Sequence, residues 1–216
     1  PHRCASEKRR PPSGVRADMG SGALAMAAYF LVFASVHSLL ADPRFKRWAK
    51  ERACGALDRW GRLAFNLLAL IMLLPFIFIL LYLPDEVIYI APWPAFGLMA
   101  AAQLLAAAML LITLFQTGVL DFLGLERRPR PGRERALVTG GLYCHLRNPL
   151  FLFAILFLWT SPIMTMNLLT FNIMATFYFY LGALHEERSL KEEFGKAYEE
   201  YRLRVPMFLP RLGCKD

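Results

Sequence analysis

Between Arg147 and Glu186 the chain carries no Asp, Glu, Lys or Arg, and charged blocks close this apolar run at both ends. A single helix of that length would extend about 55 Å at roughly 1.5 Å per residue, well beyond a hydrocarbon core of about 30 Å. The run must therefore fold back. Ser161-Pro162 marks the place, because proline lacks an amide donor and disfavours helical geometry at the residue before it. The predicted hairpin has arms of roughly Pro149 to Thr160 and Ile163 to Leu184. It returns Arg147 and Glu186 to the same membrane face. Pro149 suits the first turn of the outgoing helix, and Asn148 stands where a cap belongs.

Three further apolar runs, about Ser21 to Leu40, Leu63 to Leu83 and Ala95 to Phe115, read as membrane passes. Pro75 kinks the second, and the alanines from Ala100 to Ala108 let the third pack closely. Pro84-Asp85-Glu86 and Pro92-Trp93-Pro94 form a short connection between them, while Trp48 and Trp60 fit a membrane interface. After the hairpin, Leu190, Phe194, Ala197, Tyr198 and Tyr201 recur at helical spacing in a charged background. This predicts an amphipathic cytoplasmic helix that lies on the membrane or caps the site, with its aromatic stripe packed on the bundle. The expected fold is all-α, a polytopic membrane helical bundle of about five transmembrane helices.

Composition agrees: 56% of the 216 residues are hydrophobic, too apolar for an ordinary soluble domain. The formal net charge of +8 is confined to blocks. Lys and Arg crowd the loops at 42–62 and 116–135 and the tail after His185, and are absent from the two other loops. The positive-inside rule then sets the N-terminus outside and the C-terminus and active site in the cytoplasm. No zinc spacing or aromatic-interleaved basic groove accompanies the charge, so nucleic-acid binding is excluded. Residues 1–18, rich in Arg and Pro, read as a disordered or non-native extension, with Met19 the natural initiator. A signal peptide is the alternative, set aside because the apolar segment is long and no cleavage site is evident. Residues 19–216 then form one membrane domain with a core at 137–210. Cys4, Cys54, Cys144 and Cys214 lack C-x-x-C pairing, and free thiols are the expectation.

At the hairpin's base, an arginine beside a helix start attracts an anion, and carboxylates at the returning end suit a cation or hydroxyl groups. A site with both signs at a lipid surface fits a zwitterionic cofactor. The pattern Leu137-Val138-x-x-Gly141-x-Tyr143-x-x-x-Arg147-x-Pro149, then a hydrophobic hairpin, then Glu186-Glu187, Leu190, Phe194-Gly195, Tyr198, Tyr201 and Val205-Pro206 resembles the C-terminal half of the isoprenylcysteine carboxyl methyltransferase superfamily. A looser similarity to its methanethiol and NnrU-like branch lies in Val36-His37-Ser38, in Pro43, Phe45-Lys46-Arg47-Trp48, and in Asp121-Phe122-x-Gly124-Leu125.

The resemblance implies an S-adenosyl-L-methionine-dependent membrane methyltransferase. Its cofactor would contact Arg135, Leu137, Val138, Tyr143, Arg147, Asn148, Pro149, Leu150 and Glu186. Such methyl transfer is an in-line displacement that needs no metal. The family usually has Arg-His-Pro where this chain has Arg147-Asn148-Pro149, so the histidine's role falls to His145 or is absent, and Asn148 marks the altered position. Gly182 replaces an arginine that prenylcysteine enzymes place near their substrate, which disfavours a prenylcysteine carboxylate. His145 and His185 are candidate bases for a thiol or amine. The acceptor is expected to be small or lipophilic, a thiol first and a phospholipid amine or prenylcysteine carboxylate next, with membrane lipids as partners. The alternative is a non-catalytic NnrU-like scaffold.

Overall fold

A computed structural model of the chain describes residues 13–52, 56–118, 137–211 and 213–214. Among them are helices α1 (Ser13–Ala41), α2 (Pro43–Arg52), α3 (Ala56–Ile71), α4 (Leu74–Tyr82), α5 (Ala95–Thr117), α6 (Pro149–Trp159), α7 (Met166–Phe194) and α8 (Lys196–Arg204). Two short strands, β1 (Val87–Ile90) and β2 (Ile163–Thr165), and a 3-10 turn at Gly141–Cys144 complete them. Helix α1 begins ahead of Met19, so residues 13–18 are helical where the sequence pattern suggested disorder. Each residue added to an existing helix gains a hydrogen bond at little further cost.

Four segments are long and apolar enough to cross a membrane: Gly20–Ala41, Leu63–Tyr82, Ala95–Thr117 and Met166–Phe194. Leu31, Leu70, Leu104, Phe115 and Phe177 stay exposed on their outer faces, as contact with lipid allows. The chain is an integral membrane helical bundle. The hairpin's first arm, α6, has 11 residues and reaches only about 16 Å. It is the short apolar helix beside four full-length spans, where about five passes were expected.

Pro75 breaks the second span rather than bending it gently. Helix α3 ends at Ile71, and α4 restarts with Pro75 in its first turn. The Phe76 amide bonds to the Leu73 carbonyl at 3.1 Å, which frees the Met72 carbonyl. The Tyr29 hydroxyl of α1 donates to it at 2.8 Å. A neighbouring helix thus satisfies the backbone group that proline exposes. Around this junction Met26, Phe30, Phe33, Phe76, Ile79 and Ala175 form a buried core between α1, α4 and α7. Its rings meet mostly edge to face, as in Tyr29 with Phe76 and Phe30 with Phe171.

The connection after α4 and the turn of the hairpin are more ordered than the sequence suggested. Val87–Ile90 lies in the connection after α4, and Ile163–Thr165 was assigned to the returning helix. Together they make an antiparallel ribbon, with Val87 opposite Thr165 and Ile90 opposite Ile163. Their β-branched and aromatic residues favour extended backbone. The start of α7 is tied to the same connection. Thr165 Oγ1 accepts from the Leu168 amide at 3.2 Å, Asp85 Oδ1 from the Asn167 amide at 2.9 Å, and the Glu86 carbonyl from the Met166 amide at 2.9 Å. Deeper in the hairpin, Asn172 Nδ2 donates to the Leu158 carbonyl at 3.0 Å and Trp159 Nε1 to Thr176 Oγ1 at 2.9 Å.

At the opposite end, α7 runs unbroken past Glu186 to Phe194, where Gly195 at φ +51° turns the chain into α8. The expected amphipathic helix is therefore two elements. Tyr198, Tyr201 and Val205 are buried there against Leu137, Leu190 and Phe194, so the aromatic stripe packs inward on the bundle.

Candidate active site

The loop that follows the undescribed residues 119–136 is clamped on two sides. Gly141 sits at φ +64°, and its Cα lies against the Gln116 amide of α5, where a side chain would collide. Gln116 Oε1 also accepts from the Leu142 amide at 3.1 Å. On the other side, Tyr201 Oη donates to the Tyr143 carbonyl at 2.6 Å. The Arg147 and Asn148 amides donate to the carbonyls of Pro206 and Met207 at 2.9 and 3.2 Å. Tyr143, Arg147 and Asn148 are thereby fixed between α5, α8 and the C-terminal tail.

The hairpin brings the predicted guanidinium and carboxylates to one place. Arg147 Nη1 lies 3.0 Å from Glu187 Oε1, with the two side chains 9% and 13% exposed. The ion pair forms with Glu187 rather than with Glu186, the carboxylate expected to join the site. Asn148, 4% exposed, donates through Nδ2 to the same Glu187 oxygen at 3.3 Å. Asn148 does occupy the cap position of α6, but its side chain makes no capping bond and goes to Glu187 instead. Pro149 is buried in the first turn behind it.

This pair leaves polar atoms unspent. Arg147 Nε and Nη1 are both buried without an aligned hydrogen bond, although Nη1 lies at ion-pair distance from Glu187, and the Tyr198 hydroxyl is buried without a partner as well. Burial and the Glu187 charge push the Tyr198 phenol up, while the nearby Arg147 guanidinium opposes them. Buried donors and hydroxyls are costly unless satisfied. An anionic group placed here would complete both. Tyr143 lies within electrostatic range of the other carboxylate: burial first, then the charges of Glu186 and Tyr201, hold its phenol well above the ordinary range. It stays a neutral hydrogen-bond donor. Glu186 itself remains open to water on α7, one helix position and thus about 100° from Glu187.

The remaining predicted residues divide. Leu137 packs on the Tyr198–Tyr201 cluster, Leu150 is half-buried in α6, and Val138 is 42% exposed. Arg135 and the segment Asp121 to Leu125 lie outside the described residues. His185 is exposed on α7. His145 is engaged with the tail: its Nδ1 lies 2.8 Å from the Arg211 carbonyl and its Nε2 3.6 Å from Cys214 Sγ. Cys144 and Cys214, expected to be free thiols, are joined in a disulfide. The tail runs alongside the site loop, Arg211 N bonding to the His145 carbonyl at 2.9 Å, and so delivers one cysteine to the other. Cys4 and Cys54 lie outside the described residues.

Glu187 and Tyr198 are the residues that sequence reasoning passed over. The Glu186-Glu187 doublet carried the signal for the first. For Tyr198, spacing pointed only to packing.

The residues present suit S-adenosylmethionine. A buried cation with a free Nε and an adjacent hydroxyl fit a carboxylate, and a water-accessible carboxylate within electrostatic range of a neutral phenol fits an ammonium or ribose hydroxyls. No protein-family model and no solved structure matches the chain. Curated proteins do. Methanethiol S-methyltransferase 2 of Bradyrhizobium diazoefficiens is 32% identical over 94% of this chain and 78% of that protein. Methanethiol S-methyltransferases of Mycobacterium tuberculosis and a Pseudomonas species are 30% and 28% identical, covering 91% and 92% of this chain and 81% and 80% of theirs. With alignments that run through nearly the whole chain, the protein belongs to the methanethiol S-methyltransferase family.

Proposed function

We propose that this membrane protein methylates the sulfur of a small thiol, methanethiol first among them, with S-adenosylmethionine as methyl donor. The observation that carries the site assignment is the buried Arg147 guanidinium, neutralised on one edge by Glu187 and unpartnered at Nε beside the free Tyr198 hydroxyl. When bound, the cofactor supplies a methyl group on a positively charged sulfur, an electrophile that needs no metal. Arg147 and Tyr198 take its carboxylate, and Glu186 with Tyr143 takes its ammonium or ribose. Glu187 and Asn148 hold the guanidinium in place.

A thiol is mostly protonated at neutral pH, and its thiolate is the nucleophile. His185, exposed one position before Glu186, accepts the thiol proton. The cofactor enters from the cytoplasm, on the side that carries the basic loops and the C-terminus. A small apolar acceptor enters from the bilayer between helices.

The test is calorimetry on detergent-solubilised protein with S-adenosylmethionine, paired with headspace analysis for the volatile thioether made from methanethiol. Saturable binding that falls at least tenfold in Arg147→Ala and Glu186→Gln, with methanethiol turnover in the wild type, supports the reading. Absence of binding in folded wild-type protein overturns it. Binding with label appearing only in lipid would replace the thiol by a lipid acceptor.

A further inference from the structure

The tail strap gathers three soft metal-binding side chains outside the methyl-transfer site. A ring nitrogen of His145 and the sulfurs of Cys144 and Cys214 lie within 4.8 Å of one another, with Cys144 and His145 half-buried and Cys214 exposed. We infer that in the reduced protein these three residues form a binding site for a zinc-like divalent cation, which ties the C-terminal tail to the loop bearing Tyr143 and Arg147.

The histidine is oriented for it. A carbonyl oxygen only accepts, so the 2.8 Å contact to Arg211 requires the proton on Nδ1 and leaves the Nε2 lone pair free. That lone pair faces Cys214 Sγ at 3.6 Å. Around a tetrahedral zinc with Zn–N near 2.1 Å and Zn–S near 2.3 Å, an imidazole nitrogen and a thiolate stand about 3.6 Å apart. Metal-bound histidines characteristically donate their other N–H to such a carbonyl, which fixes ring and tautomer.

The two segments are also held together without the sulfur–sulfur bond. Arg211 N bonds to the His145 carbonyl at 2.9 Å, Arg147 N to Pro206 and Asn148 N to Met207, and Arg211 Nη1 reaches the Arg204 carbonyl at 2.9 Å. Opening the disulfide therefore leaves both cysteines facing each other. To bind zinc the sulfurs separate to about 3.8 Å, the spacing of two thiolates on one tetrahedral ion. At a cytoplasmic face, where glutathione and thioredoxin keep thiols reduced, that open form is the resident one.

The balance is simple. A two-electron reductant, a dithiol or a phosphine, cleaves the Cys144–Cys214 bond to two thiols. The cation then displaces one proton from each thiol to solvent, giving a neutral dithiolate complex with the His145 nitrogen as third ligand. Three protein ligands leave a fourth position for water. The inference does not rest on the methyl-transfer reading.

The full chain in detergent is reduced with a phosphine, loaded with zinc, desalted and assayed for bound metal; cobalt(II) is used in parallel for its thiolate charge-transfer absorption. One equivalent is expected in reduced wild type and in Cys4→Ser/Cys54→Ser, and none in oxidised protein, Cys144→Ser or Cys214→Ser. Cobalt spectra should show thiolate coordination only where both cysteines remain. The reduced wild type decides the matter whatever the variants' folding: no retained metal in protein whose circular dichroism stays helical overturns the site. Retention in Cys144→Ser/Cys214→Ser, or thiols that the reductant never releases, overturns it as well.

Discussion

Replacing Glu187 by alanine tests the central geometry most directly. The carboxylate stands 3.0 Å from Arg147 Nη1, and the two side chains are 13% and 9% exposed. Deleting one partner of a buried pair strands the other charge, at about 3–5 kcal/mol. Glu186, next along α7, supplies part of the missing negative charge, and the Asn148 amide loses only a long 3.3 Å contact. The expected loss is therefore about 3 kcal/mol, at the low end of that range. Removing both charges in Arg147→Met/Glu187→Leu should cost less than Glu187→Ala alone, because no orphan remains. Reversible unfolding by SDS in mixed micelles measures both, and calorimetry with S-adenosylmethionine on the same samples separates stability from binding. Glu186→Gln provides the contrast: stability within about 0.5 kcal/mol of wild type, as for a surface change, but weakened cofactor binding. If Glu187→Ala costs under about 1 kcal/mol, or the double variant costs as much as the single, Glu187 does not hold the guanidinium and the site must be redrawn.

Three other outcomes follow from the same coordinates. Tyr198→Phe removes a buried hydroxyl that has no partner, so unfolding should be unchanged or slightly harder, while cofactor affinity falls about tenfold, the loss of one hydrogen bond to a charged group. Gly22→Ala places a Cβ against the Pro84 carbonyl and within 2.7 Å of the Asn167 amide; the SDS midpoint should drop by an amount equivalent to about 1–3 kcal/mol. Tyr143, Tyr198 and Tyr201 all have phenols held above their ordinary value, chiefly by burial. Above about pH 10 the unfolded chain therefore loses protons that the folded chain keeps. Their contribution to stability should be lost as pH rises past that value, and the fall should be shallower in Tyr143→Phe/Tyr201→Phe; an equal slope in both would remove these phenols as its cause.

The linear pattern determined which segments are apolar enough to cross a membrane and which residues stand at their ends. A charge-free run too long for one crossing, with Ser161-Pro162 in its middle, had to fold back and bring Arg147 near the Glu186-Glu187 doublet, as the ion pair shows. Family spacing at Tyr143, Arg147-x-Pro149 and Glu186 pointed to the chemistry. Hydropathy does not fix rotation about a helix axis. Neighbouring residues on α7 point about 100° apart, and only packing of α7 against α6 and the site loop decided that Glu187, not Glu186, meets Arg147. The same holds for contacts between distant segments. The β1–β2 ribbon, the turn of Asn148 toward Glu187, and the meeting of Cys144 with Cys214 across 70 residues arise from tertiary hydrogen bonds. Each joins segments whose local sequences are compatible with several partners, and a choice among partners belongs to the fold as a whole.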